Sequence, residues 1–470
     1  MRLVSLDEAS SRDWDIVVVG TSFASMFFGY RLPRDLNVLF VEKGEEYPHA
    51  DQVTSGWAVR EKFSQRNTSG VRKNWVAFTL FGGNSNYWWG NATRLHPDDF
   101  NLNSKFGVGR DWPISYKHLD PYWVQAEEII EVAGGQSDHI LPRSKPFPYP
   151  SHAPSRADIA LRESSSLWVP VPSANSNGGS RPRCCVNGVC RICPIDSKFT
   201  ILNSFDKLNH PGSQYLLGTE VRALDIEGGH ARSVRVRGPD GRETRIRGSV
   251  FALGANGIFN TVILQRSDVR NEALGRYLHE QAVVDVQIDT ANIKSFFGGT
   301  SETGHGYHFY HRTDRSSVGA VLMETVNAPP LIRKEKAKLA NRIHMRLIAE
   351  DIPQSENRVL LENDDPMIEW IGYSNYATHG LERAVKGLPD VIPDTIERLE
   401  VSDLLSSDAH IQGTHRMGFS SNDSVVDDKM RLHSSKNVFV LGSGSFPTCS
   451  PANPSLTIAA LSLRASEAVS

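Results

Sequence analysis

The stretch "DWDIVVVGTSFASMFFGYRL", residues 13–32, decides the fold. Ile16 to Val19 form an apolar, β-branched run of strand character, and a turn of small residues follows. Phe23, Met26, Phe27 and Tyr30 then recur at helical spacing. A second apolar run, "NVLFVEKG" at 37–44, ends in Glu42. Strand, turn, helix and strand together make a βαβ unit of about 30 residues. A dinucleotide-binding turn wants Gly-x-Gly-x-x-Gly, for the tight turn, the approach of the pyrophosphate and the packing of helix on strand. Here those positions hold Gly20, Ser22 and Ser25. Serine stays small and can offer a hydroxyl to phosphate, but it gives up the φ freedom of glycine. Glu42 follows Gly20 at the spacing where a carboxylate accepts from a ribose diol and disfavours a 2′-phosphate. The unit therefore fits FAD or NAD and not NADP.

Working outward, 470 residues exceed one simple core and suggest two domains interleaved in sequence. A hydrophobic content of 39%, a charged content of 22% and a net charge of −3 are those of an ordinary globular protein. That balance gives no reason to expect nucleic acid or an anionic membrane as partner. No apolar run approaches the ~18 residues of a spanning helix, and "MRLVSLDEASSRDWD" has no signal core, so a cytoplasmic location is expected. Residues 75–100 read as an ordered loop rich in Gly, Asn and Trp, with Tyr87, Trp88 and Trp89 as loop packing. "DWPISYKHLDPYWVQAEEIIEVAG" reads as a turn and a helix, with Pro121 in its first turn and Gly134 at its stop. Residues 135–183, rich in Pro and Ser, read as a long surface excursion. Alternation over 214–252, with Gly228-Gly229 and Asp240-Gly241 as turns, predicts a β meander. Between 280 and 400, "QAVVDVQID" and "NRVLLE" read as strands and "DVIPDTIERLEVSDLL" as a long helix. The chain closes with a strand, "NVFVLG", a Ser/Pro loop and a helix, "SLTIAALSLRASEAV".

Several stretches, in order from residue 13 to 468, resemble the glucose–methanol–choline (GMC) family of flavin oxidoreductases. They are "VVVGTSFAS" with "VLFVEKG", "FGGNSNYWWGNATRLHPDDF", "DWPISYKHLDPYW", "CRICPIDSKFTILNS", "VFALGANGIFNTVILQRS" and the whole of 407–468. "GTHRMG" and "LGSGSFPT" with "ANPSLTIAAL" are most similar to pyranose oxidases and related sugar dehydrogenases. The resemblance implies an α/β (α+β overall) protein. A Rossmann-like FAD-binding domain would comprise 13–100, 184–275 and 405–470, with an interleaved antiparallel-sheet substrate domain at 101–183 and 276–404. It further implies that the backbone at Val221 meets adenine and that Gly82, Gly83 and Asn86 line the pyrophosphate and flavin edge. Gly254 would return to the dinucleotide, and Gly442 and Ser443 would run along the ribityl chain. Pyranose oxidases tether FAD through a histidine where this chain has Tyr87, so noncovalent FAD is expected.

"HIQGTHRMG", residues 410–418, carries two histidines around a Gly-Thr turn. In the family the histidine three residues before that turn faces the flavin, with an asparagine or histidine some forty residues later as partner. The matching positions are His410 and Asn453. Oxidising an alcohol removes a hydroxyl proton while a hydride leaves the carbinol carbon, and a neutral imidazole takes that proton near neutral pH. The Asn453 amide can donate to the developing alkoxide. His415 is the rival base, with buttressing of the turn or contact with the flavin as its other roles, and Asn453 read locally is an Asn-Pro turn residue. The activity implied is oxidation of a sugar, glycoside or polyol hydroxyl, with oxygen, a quinone or a protein as electron acceptor. A lyase that keeps FAD and a flavin binder without turnover are the rivals.

Four of the five cysteines crowd into "RCCVNGVCRICPI". Cys185-x4-Cys190-x2-Cys193 has ferredoxin-like spacing. Cys184, Cys190 and Cys193 are thereby candidate iron–sulfur ligands, and some sugar dehydrogenases of the family place a cluster at a similar stretch to feed a haem partner. Their spacing is one residue longer between the last two cysteines, and the alternative is a loop of buried reduced thiols.

Overall fold

A computed structural model describes residues 1–55, 60–294, 299–327 and 341–469. Two sheets organise it. In the first, Asp13–Val19 pairs in parallel with Val38–Val41 on one side and with Glu243–Leu253 on the other. Ser213–Leu216 extends the sheet beyond Val38–Val41, and Val438–Val440 beyond Glu243–Leu253, both in parallel. Every residue of Val38–Val41 and of Ile16 to Val19 is buried, as a parallel sheet covered on both faces requires. The helix Phe23–Tyr30 and the helix Tyr116–Ile130 both pack on the C-terminal helix Ser455–Ser466. Asn256–Arg266 packs on the strand Glu220–Glu227. The predicted meander is present as Glu220–Glu227, His230–Arg237 and the first half of Glu243–Leu253, antiparallel to one another.

The second sheet has six antiparallel strands in the order Ile396–Val401, Ala282–Thr290, Arg342–Ala349, Val321–Val326, Glu302–Phe309 and Trp168–Pro170. Period-2 alternation splits it into two faces. Ile343, Met345 and Leu347 point into a core shared with Ala377, Leu381, Ala384 and Leu388 of the helix Asn375–Val391. Arg342, His344 and Arg346 alternate with them on the opposite face, where the two arginines carry charge.

Three local expectations are corrected. The helix expected over 390–405 lies earlier, at Asn375–Val391, capped by Ser374, whose Oγ accepts from Ala377 N. Residues Ile396–Val401 are instead an edge strand on Ala282–Thr290. Their Glu, Arg and Leu content favours helix, but pairing with a sheet edge overrides propensity, and exposed Glu397, Arg398 and Glu400 discourage further pairing. The excursion 135–183 is not wholly superficial: Trp168–Pro170 is buried at all three positions as the other edge of that sheet. In Tyr116–Ile130 the cap is Ser115, Pro121 sits well inside, and the stop is Glu131 at φ 61° rather than Gly134. Among the described residues no helix is long and apolar enough to cross a membrane.

Candidate active site

A cavity of ≈ 400 Å³ runs from the C-terminal ends of the parallel strands to the charged face of the antiparallel sheet. Gly20, Ser22, Glu42, Val221 and Gly254 border one end. Gly20 has φ 84°, and a Cβ there would come within 2.8 Å of the Gly254 carbonyl oxygen. Only glycine lets these two turns meet. Ser22 is the N-cap of Phe23–Tyr30 with its hydroxyl uncommitted to that cap, beside the open wall made by Gly83. Ser25 plays another part. Its buried hydroxyl donates to Val19 O (2.9 Å) and fills the space against Gly254, so it packs helix on strand as the third glycine of the motif would. Glu42 accepts from Thr21 Oγ1 (2.8 Å) and Gly44 N (2.9 Å). Burial pushes its pKa up to about 7 against those two donors, so a diol that hydrogen-bonds it would favour the carboxylate. A Cβ-free cradle, a helix start and a buried acid suit a dinucleotide such as FAD.

The loop 82–89 lies between the two ends. Gly83 borders the cavity, but Gly82 and Asn86 do not. Gly82 N donates to Thr21 Oγ1 (2.9 Å), and Asn86 Nδ2 turns inward to Phe81 O (2.9 Å). Asn84, Tyr87, Trp88 and Trp89 border the cavity in their place. The three aromatics are thus wall residues and not mere loop packing; Tyr87 stacks on Phe78 at 4.0 Å between centroids. Gly442 and Ser443 border the same space.

At the far end stand His410 and Asn453. The backbone that presents His410 is strained: Ala409 has φ 63° and Thr414 φ 83°. Such residues cost of order 1–3 kcal/mol and persist where surroundings hold them. Glu280 does the holding. Its carboxylate accepts from Asp408 N (2.8 Å), His410 N (2.8 Å) and Ser407 Oγ (3.1 Å). Buried Lys73 pairs with Glu280 and sits over Trp75, Trp370 and Tyr373 at 4.7–5.1 Å. The His410 ring turns Nδ1 toward Asp408 Oδ2 (3.1 Å) and Gln281 Oε1 (3.2 Å). Burial alone would lower its pKa; Asp408, with Glu280 and Glu302, more than offsets this and raises it. Asn453 Oδ1 is buried without a hydrogen-bond partner among the described residues.

A family profile described as GMC oxidoreductase matches residues 353–462. The fructose dehydrogenase large subunit of Gluconobacter japonicus is 24% identical, over 97% of each chain. The 6'''-hydroxyparomomycin C oxidase of Streptomyces lividus is 26% identical over 98% of this chain and 92% of that one. Residues 353–462 thus resemble the C-terminal part of GMC oxidoreductases, and nearly the whole chain is similar to oxidoreductases that act on hydroxyl groups. Solved structures agree on the fold: pyridoxine 4-oxidase from Mesorbium loti superposes with TM-score 0.69 at 18% identity, covering 97% of this chain and 99% of that one. Formate oxidase from Aspergillus oryzae RIB40, whose description concerns FAD modification, superposes with TM-score 0.67 at 14% identity, over 98% of both chains.

His415 does not reach the cavity. It is fully buried behind the 442–445 turn, where a Cβ on Gly444 would run into its ring. Its backbone N–H donates to Gly444 O (3.0 Å), and burial drives its pKa down to about 3. It packs against that turn, away from the cavity that His410 borders. The cysteine thiols are engaged by the protein itself. Cys190 Sγ accepts from Asn175 Nδ2 (3.0 Å) and Ser301 N (3.2 Å), Cys193 Sγ from Ser197 N (3.3 Å), and Cys184 Sγ from Val186 N (3.4 Å). Burial pushes Cys184 up to about 11 and raises Cys190, the opposite of what ligating thiolates need. Among the described residues no three His, Cys, Asp or Glu side chains are placed to hold a metal ion, so the structure gives the iron–sulfur reading of Cys184, Cys190 and Cys193 no support.

Sequence reasoning missed a charged cluster on the wall opposite the nucleotide end. Arg346 and Glu302 border the cavity, and Arg346 lies 3.3 Å from Asp285, 3.6 Å from Asp408 and 4.9 Å from the Trp89 ring. The register Glu324↔Arg346↔Asp285 sets these groups in a row across three strands. Burial holds Glu302 up at about 7 and, with Glu302 beside it, raises Glu324 well above the carboxylate range. Alternation of Arg342, His344 and Arg346 with apolar residues was the signal available.

Proposed function

We propose that this chain oxidises an alcohol group of a sugar, glycoside or polyol to a carbonyl, with noncovalent FAD held at the Gly20–Glu42 end and His410 as base. The observation that carries the reading is that His410 and Asn453 border the same cavity as the dinucleotide cradle, with His410 Nδ1 occupied by protein and Nε2 without a protein partner among the described residues. FAD when bound would supply the two-electron acceptor for the hydride leaving the carbinol carbon. His410 Nε2 takes the hydroxyl proton, and the Asn453 amide hydrogen-bonds the oxygen as charge grows there. Ser22, Glu42, Val221 and Gly254 would hold the dinucleotide, with Gly442 and Ser443 along its middle. Tyr87 supports noncovalent attachment, because the position offers a phenol where a tethering imidazole would be needed. The domain division keeps its ranges in this proposal. Strands of the first sheet come from 13–41, 213–253 and 438–440, and those of the second from 168–170 and 282–401. The relatives named for fructose and for an aminoglycoside support a polyhydroxylated substrate. The test is anaerobic: purified protein is mixed with sugars, glycosides and polyols, and the flavin absorption bands are followed. Bleaching by one of them establishes the reaction, and reoxidation by oxygen or quinone then identifies the acceptor. Flavin that every compound leaves oxidised would defeat the proposal.

A further inference from the structure

Gln281 opens the strand Ala282–Thr290 from a site only 1% exposed. Its amide is saturated on both sides. Nε2 donates to Ser450 O (2.9 Å) and Ala452 O (3.2 Å). Carbonyl oxygens only accept, so that end of the amide has to be the nitrogen. Oε1 is left to accept from Gln412 Nε2 (3.2 Å) and to face His410 Nδ1 (3.2 Å). An oxygen at Nδ1 requires a hydrogen there, and a neutral imidazole carries one N–H. The hydrogen is then on Nδ1 and the lone pair on Nε2. Asp408 Oδ2 lies 3.1 Å from the same nitrogen but outside hydrogen-bonding angles, so it supplies charge while Gln281 supplies direction. The two carbonyls that Gln281 grips are those of Ser450 and Ala452, in the loop that leads into Asn453.

We propose that Gln281 is a positioning residue that fixes His410 in its Nδ1–H tautomer and ties it to the Asn453 loop, so that base and alkoxide donor move as one unit. The proposal rests on the reading of His410 as the base. It is tested in the FAD-loaded protein with Gln281→Met, which keeps an unbranched chain but no amide, and with Gln281→Leu should the first fail to load flavin. Flavin content should stay at the parent level. Flavin reduction at saturating substrate should fall roughly 10- to 100-fold, the cost of a misplaced reacting group. The acid limb of the pH profile should stay in place, because Asp408 remains. Protein labelled with ¹⁵N at histidine gives an independent readout: His410, assigned by its loss in His410→Asn, should show Nδ1–H in the parent and a mixture of tautomers in the variant. Reduction within twofold of the parent, or Nε2–H in the parent, would overturn the proposal. His410→Ala is run alongside. If it reduces flavin at the parental rate, the base assignment itself has failed; if it is inactive while Gln281→Met is not, only the role of Gln281 has.

Discussion

The two ends of the cavity are built from different materials. The nucleotide end is mostly backbone: Gly20 and Gly254 meet where a Cβ has no room, and Ser22 starts a helix beside them. The His410 end is mostly side chains, with His410 and Asp408 from a loop, Arg346 from a strand of another sheet and Gln281 from just before a second strand of that sheet. A backbone site recognises what all dinucleotides share and fails when an atom is added. A side-chain site is tuned group by group through charge, and fails when an atom is removed.

The sharpest break between the two ends is His410→Ala. Flavin reduction by substrate should fall by ~10²–10⁴-fold, with the FAD content of the purified protein unchanged. Loss of FAD in parallel would mean that the two ends are not separable. A second contrast sets His410 against the buried histidines. Burial holds His279 near 4 and His305 and His415 near 3, below the ordinary 6.5. The unfolded chain therefore binds protons that the folded one refuses, and stability is lost as pH falls from 6.5 toward those values, by about 1 kcal/mol per unit for each group. His410, raised instead, contributes in the opposite sense: its stabilisation is present below 6.5 and lost as pH rises through its folded value. Glu42 and Glu302, raised to about 7, gain stability as pH falls over the same range, so the effect of a buried histidine is read by difference. His305→Gln should raise the thermal midpoint at pH 5.5 relative to that at pH 7, compared with the parent, and an unchanged difference would contradict its neutral burial.

Gly20→Ala probes the backbone end. The left-handed φ costs ~1–2 kcal/mol for a residue with a Cβ, and the Gly254 carbonyl must shift as well. FAD affinity, measured by flavin fluorescence on titration, should weaken about tenfold. Unchanged affinity would show that the cradle does not need the close approach. Asp408→Asn is the finest cut. His410 must be neutral to accept a proton, so activity rises with pH through its pKa, which Asp408 holds up against burial. Removing that charge should move the acid limb of kcat/KM to lower pH; a limb that stays would assign the raised pKa to Glu280 and Glu302 instead.

The legible and illegible parts divide along the same line. Gly20, Glu42 and the apolar periodicity around them lie within one βαβ unit, where spacing along the chain is spacing in space. Family motifs then brought in His410, Asn453 and Gly442, all of which border the cavity. Misplacements came where tertiary contact decides. Gly82 and Asn86 belong to the right loop, but its short helical turn aims Asn84 and Tyr87 at the cavity instead. The strand at Ile396–Val401 was hidden because its composition is helical and its partner strand is more than a hundred residues away.

By itself the sequence determined the parallel βαβ unit, its acid at Glu42 and the presence of two histidines at one turn, because turn geometry and strand-to-helix periodicity are local. Local chemistry did not separate the two histidines; the family motif chose His410, and the tertiary structure opens it into the cavity while burying His415 against Gly444. It alone placed Gln281 and Asp408 at Nδ1 and lined up Glu324, Arg346 and Asp285 across three strands. The physical reason is that the proton and charge state of His410 is set by side chains packed within ~4 Å of it, and packing brings those from residues 129 positions apart in the chain.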